Sequence, residues 1–247
     1  RDWSSDVCSS DLSKTFFFIN KGTQRGATHD IFMEFERSLN QSLMKEKKLK
    51  HRHLKVRIIF VPIARDQLIS ALNAGKGDII AANLTITPAR QQEMTFTAPI
   101  YSHVQELLLS GPGSPKVENL QQLSGKTVFV RTSSSYYESL VALNARFAQQ
   151  SLPPITIEPA PEALEDEDLI EMLNAGLIPL TVVDRHKALF WKQVFPNIQV
   201  HQNIILRNEG NIGWAVRNNS PQLLALLNEF INKNRQGRSE ERRVGKE

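Results

Sequence analysis

GDIIAANLTITPARQQEMTFTAPIY, residues Gly77 to Tyr101, decides how this chain is read. Asp78 to Ala82 is small and apolar, as expected of a strand buried in a parallel sheet. Thr87 is a good N-cap and Pro88 suits the first helical position, which puts Arg90 in the first helical turn. Thr85 falls in the loop just before that helix. A hydroxyl, free backbone N–H groups and a guanidinium therefore converge at the carboxyl end of a strand, where open α/β sheets bind ligands. Those groups suit a carboxylate: a bidentate arginine fork with helix-end donors beside it.

Upstream, Thr28 to Asn40 has helical spacing, with Ile31, Phe32, Phe35 and Leu39 on one face. Val56 to Val61 reads as a strand. Asp66 to Asn73 reads as a helix with Leu68, Ile69 and Leu72 inward, stopped by Gly75. The stretch Leu68 to Gly75 returns as Leu169 to Gly176, with Leu-Asn-Ala-Gly identical in both. Each copy precedes an apolar strand, Asp78 to Ala82 and Leu180 to Val183. The repeat points to two lobes of related construction, although generic amphipathic helices with a glycine stop give a similar match. Lys45 to Lys55 is a basic run ending in His51-Arg-His53. No carboxylate or cysteine stands near those histidines, so a solvated surface is expected there, with no metal site and no cofactor.

Downstream, Gln105 to Leu109 and Lys126 to Arg131 read as strands. Ser133, Ser134 and Ser135 precede a helix from Tyr136, with Ser135 and Glu138 spaced as a capping box. A serine-rich strand-to-helix turn suits either plain capping or an anion. Glu162 to Asp168 reads as a solvated, acidic helix start. Asp184 ends the strand Leu180 to Val183, where it either caps the helix Arg185 to Val194 or offers its carboxylate to an ammonium group. Ile198 to Leu206 is extended, Gly213 to Arg217 is a further strand, and Ser220-Pro221 opens a last helix to about Asn232.

Both ends look artificial. Arg238 to Glu247 is what AGATCGGAAGAGCGTCGTGTAGGGAAAGAG encodes, a common short-read sequencing adapter, and residues 1–12 read as its translated partner. Residues 13–237 are then the natural segment, beginning after a first strand that has been cut off. Without the two ends, of net charge −2 and +1, the chain goes from +4 to +5 and loses its single cysteine, Cys8. That is too little charge, without a clustered face, to indicate nucleic acid. No run of about eighteen apolar residues is present, so no transmembrane segment is expected. The lack of cysteine fits an oxidising compartment.

The order D-I-x-x-A-x-x-T-I-T-P-x-R, followed by F-T-x-P-I-Y, resembles the type 2 periplasmic solute-binding proteins of the amino-acid-binding group. The resemblance implies an α/β fold of two lobes, each a sheet flanked by helices, joined by a two-strand hinge and closing over a ligand. It places lobe one at 13–102 with 210–237, lobe two at 105–199, and the hinge crossings at 103–104 and 200–209. It assigns the ligand's α-carboxylate to Thr85 and Arg90, a hydroxyl and backbone donor to Ser135, and the α-amino group to Asp184. An aromatic before the first helix, Phe16 or Phe17, is implied to pack on the ligand, the alternative being an ordinary core aromatic. Asn83 stands where many members have serine or glycine, and Ser133 to Tyr137 replaces the usual G-T-T. Asn83, Ser134, Tyr136 and Phe16 complete the candidate ligand-binding set.

LTITPAR, VRTSSSYYESL, LEDEDLIEMLNAGL, VVDRHKALFWKQVFP and NEGNIGWAVR are most similar to the N-terminal module of the membrane-bound lytic murein transglycosylase F family. That family implies a catalytic lysozyme-like domain in cis beyond Gly237, a periplasmic location and an outer-membrane anchor. The segment itself shows no catalytic constellation: no paired carboxylates and no Ser/His/Asp set at loop positions. It is read as a ligand-sensing module for a small zwitterion, an amino acid or a peptidoglycan-derived peptide. The alternatives are a free periplasmic amino-acid receptor of an ABC transporter, and a dehydratase-like enzyme with Glu209 as the one loop carboxylate to nominate.

Overall fold

The structure is a computed structural model. It describes residues 4–9, 13, 16–47 and 55–244, with backbone alone for 4–9 and 235–244. His51 and His53 therefore lie outside the described residues. In chain order the elements begin with β1 (Ser4–Ser9), β2 (Phe18–Asn20), β3 (Thr23–Arg25), α1 (Ala27–Lys45), β4 (Arg57–Pro62), α2 (Leu68–Asn73), β5 (Ile79–Thr85), α3 (Pro88–Glu93) and β6 (Thr95–Phe96). They continue with β7 (Tyr101–Ser110), β8 (Thr127–Val130), α4 (Ser135–Gln149), β9 (Thr156–Pro159), α5 (Asp166–Asn174), β10 (Leu180–Asp184), α6 (Arg185–Trp191), β11 (Gln199–Val216) and α7 (Pro221–Val244). The chain forms two compact units, Arg1–Ile100 with Ile212–Glu247, and Tyr101–Asn211. The residues expected as hinge crossings, 103–104 and 200–209, belong to the second unit.

In the first unit the strand order is β4-β1-β5-β11, with β6 on the far part of β11. β1 is parallel to β4 and β5, and β11 is antiparallel to β5. Every residue of β5 is buried, because helices cover both faces. Ile79 and Ala81 pack with Phe32, Phe35 and Trp214. Ile80, Ala82 and Leu84 pack with Leu68, Leu72 and Met94. That two-sided burial is why the strand reads as a continuous apolar run rather than an alternation. Phe32 is fully buried, tilted on Trp214 at 4.6 Å and edge-on to Phe60 at 6.1 Å; removing such a ring from water contributes about 1.5–3 kcal/mol.

Asn40 ties α1 to β4: its Nδ2 donates to the Val56 and Glu36 carbonyls, and its Oδ1 accepts from the Val56 N–H. Arg217 pins the turn between α2 and β5 by donating to the carbonyls of Leu72 and Gly77 and pairing with Asp78. The first strand, expected to be missing from this chain, is supplied here by Ser4–Ser9. The reason is generic: β4 and β5 both present open backbone N–H and C=O groups, and a parallel ladder accepts any extended segment between them.

In the second unit the order is β11-β7-β10-β8-β9. β10 runs antiparallel to β7 and parallel to β8, and β8 is parallel to β9. Its core joins Leu107 to Leu109 on β7, Val128 and Val130 on β8, Leu180 to Val183 on β10, and Leu140, Leu143 and Phe147 on α4. The two strands expected at Ile198–Leu206 and Gly213–Arg217 are one continuous strand, β11. Nothing between Arg207 and Ile212 breaks it: no proline intervenes, and Gly210 lies close against the Val104 carbonyl, where a Cβ would approach to 2.8 Å.

The repeated Leu-Asn-Ala-Gly is realised twice with the same backbone. Gly75 and Gly176 have φ of +74° and +73°. Gly75 N–H bonds the Leu72 carbonyl and Lys76 N–H the Ala71 carbonyl; Gly176 and Leu177 do the same to Leu173 and Met172. Both pairs satisfy the helix-end carbonyls of a glycine-stopped helix.

Candidate functional site

In the first unit the β5–α3 corner forms as the sequence suggests. Thr87 caps α3, its Oγ1 accepting from the Arg90 N–H at 3.4 Å, with Pro88 at the first helical position. Arg90 is buried, and its Nη1 donates to the Thr85 carbonyl at 2.8 Å. The guanidinium is thus folded back onto the carboxyl end of its own strand. Asn83, two residues before Thr85, has a φ of +49°. It lies where the β5–β11 register slips between Gly213 and Ala215. A bulge of this kind re-aims side chains near strand ends. Asn83 is only 8% exposed, and its Nδ2 has no hydrogen-bond partner among the described residues. Phe17 belongs to the core, stacked on Phe60 at 5.0 Å. Phe16 is half-buried at the entry to α1, its carbonyl accepting from the Thr28 N–H.

Arg65, which the sequence reading passed over, follows β4 and donates from Nη2 to the Ala82 carbonyl at 3.3 Å. Since β4, β1 and β5 run parallel, Arg65 stands at the same sheet edge as Thr85 and Arg90.

In the second unit Ser134, Ser135, Tyr136 and Asp184 come together. The helix cap is Ser134, not Ser135: Ser134 Oγ accepts from the Tyr137 N–H and donates to the Arg131 carbonyl. Three consecutive serines leave the cap position degenerate in sequence. Ser135 goes elsewhere, donating to Glu106 Oε1 at 2.8 Å. The anion-binding character of the serine turn is used internally, because Glu162 accepts from Thr132 Oγ1 and from the N–H and Oγ of Ser133. Burial pushes the Glu162 carboxyl up, but those hydrogen bonds outweigh it and hold the group below its ordinary range.

Asp184 is 3% exposed and stands at the N-cap of α6, yet its side chain makes no capping bond. Its Oδ2 lies 3.6 Å from Lys187 Nζ, and its Oδ1 is buried without a partner among the described residues. Its backbone N–H donates to Tyr136 Oη at 3.2 Å, and Tyr136 in turn donates to Asp166 Oδ2 at 3.0 Å. Burial, then the charges of Asp166, Asp184 and Glu106, push the Tyr136 phenol well above its ordinary value, so it stays a neutral donor.

The acidic start of α5, expected to be solvated, is buried instead. Asp166 and Glu167 are 3% and 5% exposed. Asp166 receives Arg131, Lys187 and Tyr136, while Arg131 also pairs with Glu165 at 2.9 Å. Glu106, paired across the strands with Asp184, is 1% exposed and faces Ser135, Ser139 and Arg207. Burial lifts its carboxyl above the ordinary range, against the lowering effect of Ser139, Arg207 and Ser135. None of Glu106, Arg131, Asp166, Lys187 and Arg207 was marked in sequence. A glutamate heading the apolar run of β7 and an arginine closing KTVFVR were the available signals. Among the described residues no group of three or more His, Cys, Asp or Glu could hold a metal ion.

Comparison with known proteins agrees with this architecture. The model of the bacterial extracellular solute-binding proteins, family 3, matches residues 8–242. A membrane-bound lytic murein transglycosylase F of Shewanella halifaxensis is 30% identical over 189 residues, 76% of this chain and 37% of that protein. Another, of Desulfosudis oleivorans, is 30% identical over 215 residues, 87% of this chain and 42% of that protein. The chain thus spans well under half the length of these relatives. An ancestral arginine-binding protein bound to arginine superposes with a TM-score of 0.70 at 20% identity, covering 100% of this chain and 98% of its own. The substrate-binding protein of an amino acid ABC transporter superposes at 0.73 with 19% identity, covering 98% of both. These structures share the fold, a type 2 periplasmic-binding-protein architecture.

Proposed function

Because the chain belongs to family 3 of the bacterial extracellular solute-binding proteins, we propose that it binds a small zwitterion, an α-amino acid or a short peptide, and performs no chemistry on it. Thr85 and Arg90 take the carboxylate, and Asp184 takes the ammonium group. The observation that carries this reading is Asp184 Oδ1, a buried carboxylate oxygen with no donor among the described residues. A buried acceptor left open costs about 1–3 kcal/mol, which a ligand ammonium recovers. Arg90, held by Thr85 at the carboxyl end of β5, supports the opposite pole. Neighbours of the same fold bind arginine, glutamine or an ABC transporter's amino acid, which supports the ligand class.

We further infer that the module serves a lytic murein transglycosylase in the periplasm, with a peptidoglycan-derived peptide as the zwitterion and ligand occupancy governing a catalytic domain in cis. The curated relatives support this over a transport receptor. Among the described residues no helix is long and apolar enough to cross a membrane. Reading the gene beyond Gly237 tests it: a lysozyme-like domain with a helix-borne glutamate is expected, and a stop within one further helix returns the transport reading.

A further inference from the structure

We propose that the ligand presents a neutral amide carbonyl, from a peptide bond or a carboxamide side chain, to the side chain of Asn83. The proposal rests on the amino-acid reading of Thr85, Arg90 and Asp184, and adds to it the chemical class of the rest of the ligand. Asn83 lies near the carboxyl end of β5, two residues before Thr85, and is 8% exposed. Its Nδ2 is buried without a hydrogen-bond partner among the described residues. Buried amide donors are normally paired, and leaving one unmade is costly. Other asparagines of the chain follow that rule. Asn40, equally buried, ties α1 to Val56 through both amide atoms, and Asn144 ties α4 to Ile155 in the same way.

Backbone geometry does not account for the side chain of Asn83. The residue has a φ of +49°, in the part of β5 where the register with β11 slips. Asparagine tolerates that conformation, but glycine takes it without steric cost and buries no polar group. Its neighbours Ala82 and Leu84 are committed to the core with Leu68, Leu72 and Met94, so Asn83 and Thr85 are the polar positions of an otherwise apolar strand. The open donor is also neutral. An amide N–H compensates a neutral carbonyl, whereas a charge buried against it would stay largely uncompensated. An apolar ligand group would leave the donor unmade. A peptide or carboxamide carbonyl is the complementary group.

The test is isothermal titration of the chain with two matched pairs of ligands. One pair is L-glutamine and L-norleucine; the other is alanyl-alanine and its alkene isostere, in which a carbon–carbon double bond replaces the peptide bond. The wild type and Asn83→Gly are compared, with unliganded melting curves to confirm folding. In the wild type the carbonyl-bearing member of at least one pair should bind about fivefold to a hundredfold more tightly, the range for a buried neutral donor left unmade. In Asn83→Gly, which keeps the backbone conformation and removes the amide, that ratio should fall to within about twofold. Discrimination in the first pair assigns the carbonyl to a side chain, and in the second to a peptide bond; either supports the proposal. Norleucine binding as tightly as glutamine, together with the alkene binding as tightly as the dipeptide, means that water satisfies Nδ2 and overturns it. A ratio unchanged in Asn83→Gly overturns it too, and both results leave the amino-acid reading intact. The wild-type comparison decides whether or not the variant folds. Binding of none of the four overturns the amino-acid reading, and this proposal with it.

Discussion

Asp184→Asn separates a binding role for this carboxylate from a structural one. At 3.6 Å from Lys187, the ion pair is worth about 5 kcal/mol of Coulomb energy at an effective dielectric of 20. Holding a carboxylate in a buried place costs several kcal/mol in return. Lys187 also keeps its closer partner, Asp166, at 2.6 Å. The two effects nearly cancel, so the unliganded fold should change by no more than about 1 kcal/mol, or about 4 °C in melting temperature. Ligand binding should change far more. Removing one partner of a buried ion pair costs about 2–5 kcal/mol. A ligand at a hundred times its wild-type Kd stabilises the wild type by about 2.7 kcal/mol; in the variant the same concentration should give under about 1 kcal/mol. Thermal melts with and without ligand read both quantities. A variant that melts far lower without ligand, yet keeps its full ligand-induced shift, would refute the reasoning.

Glu106→Gln should flatten the pH dependence of stability. Because the folded carboxyl titrates above its ordinary range, the folded state holds a proton that the unfolded chain has released. Stability contributed by the protonated form is therefore lost as the pH rises from the ordinary glutamate range through the raised folded value. Melting temperatures across that interval should fall less in the variant than in the wild type; parallel curves would contradict the assignment. Arg131→Ala strips Glu165 and Asp166 of a buried partner and should cost about 3–5 kcal/mol, read by urea unfolding, whereas a loss under about 1 kcal/mol would mean that Lys187 and Tyr136 suffice. Gly75→Ala and Gly176→Ala place a side chain at φ near +74° and should each cost about 1–2 kcal/mol. The space at Gly75 is open, so a larger loss there would point to something other than backbone strain.

The first unit was legible where its determinants are local. Thr87, Pro88 and Arg90 act within one helical turn, and the apolar run of β5 reports directly that both its faces are covered. The glycine stops of α2 and α5 were visible for the same reason. What sequence could not show was pairing across distance. Glu106 meets Ser135, Ser139 and Arg207 only after β7 and α4 pack together. Arg131 and Asp166 look like ordinary polar ends of a strand and a helix until β8 brings one beside the other. Ser134 takes the cap because a chain of serines offers three equivalent hydroxyls, and packing chooses among them by giving Ser135 to Glu106. β11 was read as two strands because its middle, Arg207-Asn-Glu-Gly210, is polar, whereas backbone pairing carries the strand through irrespective of side chains. Arg65 was missed because a single arginine after a strand carries no pattern. Its meaning comes from the parallel order β4-β1-β5, which puts it at the edge shared with Thr85 and Arg90.

The claim that the site recognises both charges of a zwitterion is tested most directly by titrating the wild-type chain calorimetrically with an L-amino acid, its deaminated acid and its decarboxylated amine. The amino acid should bind, and each analogue should bind at least about thirtyfold more weakly, the loss of one buried charge contact of about 2 kcal/mol. Equal binding of the amino acid and either analogue would contradict the pairing of Arg90 and Thr85 with the carboxylate or of Asp184 with the ammonium group.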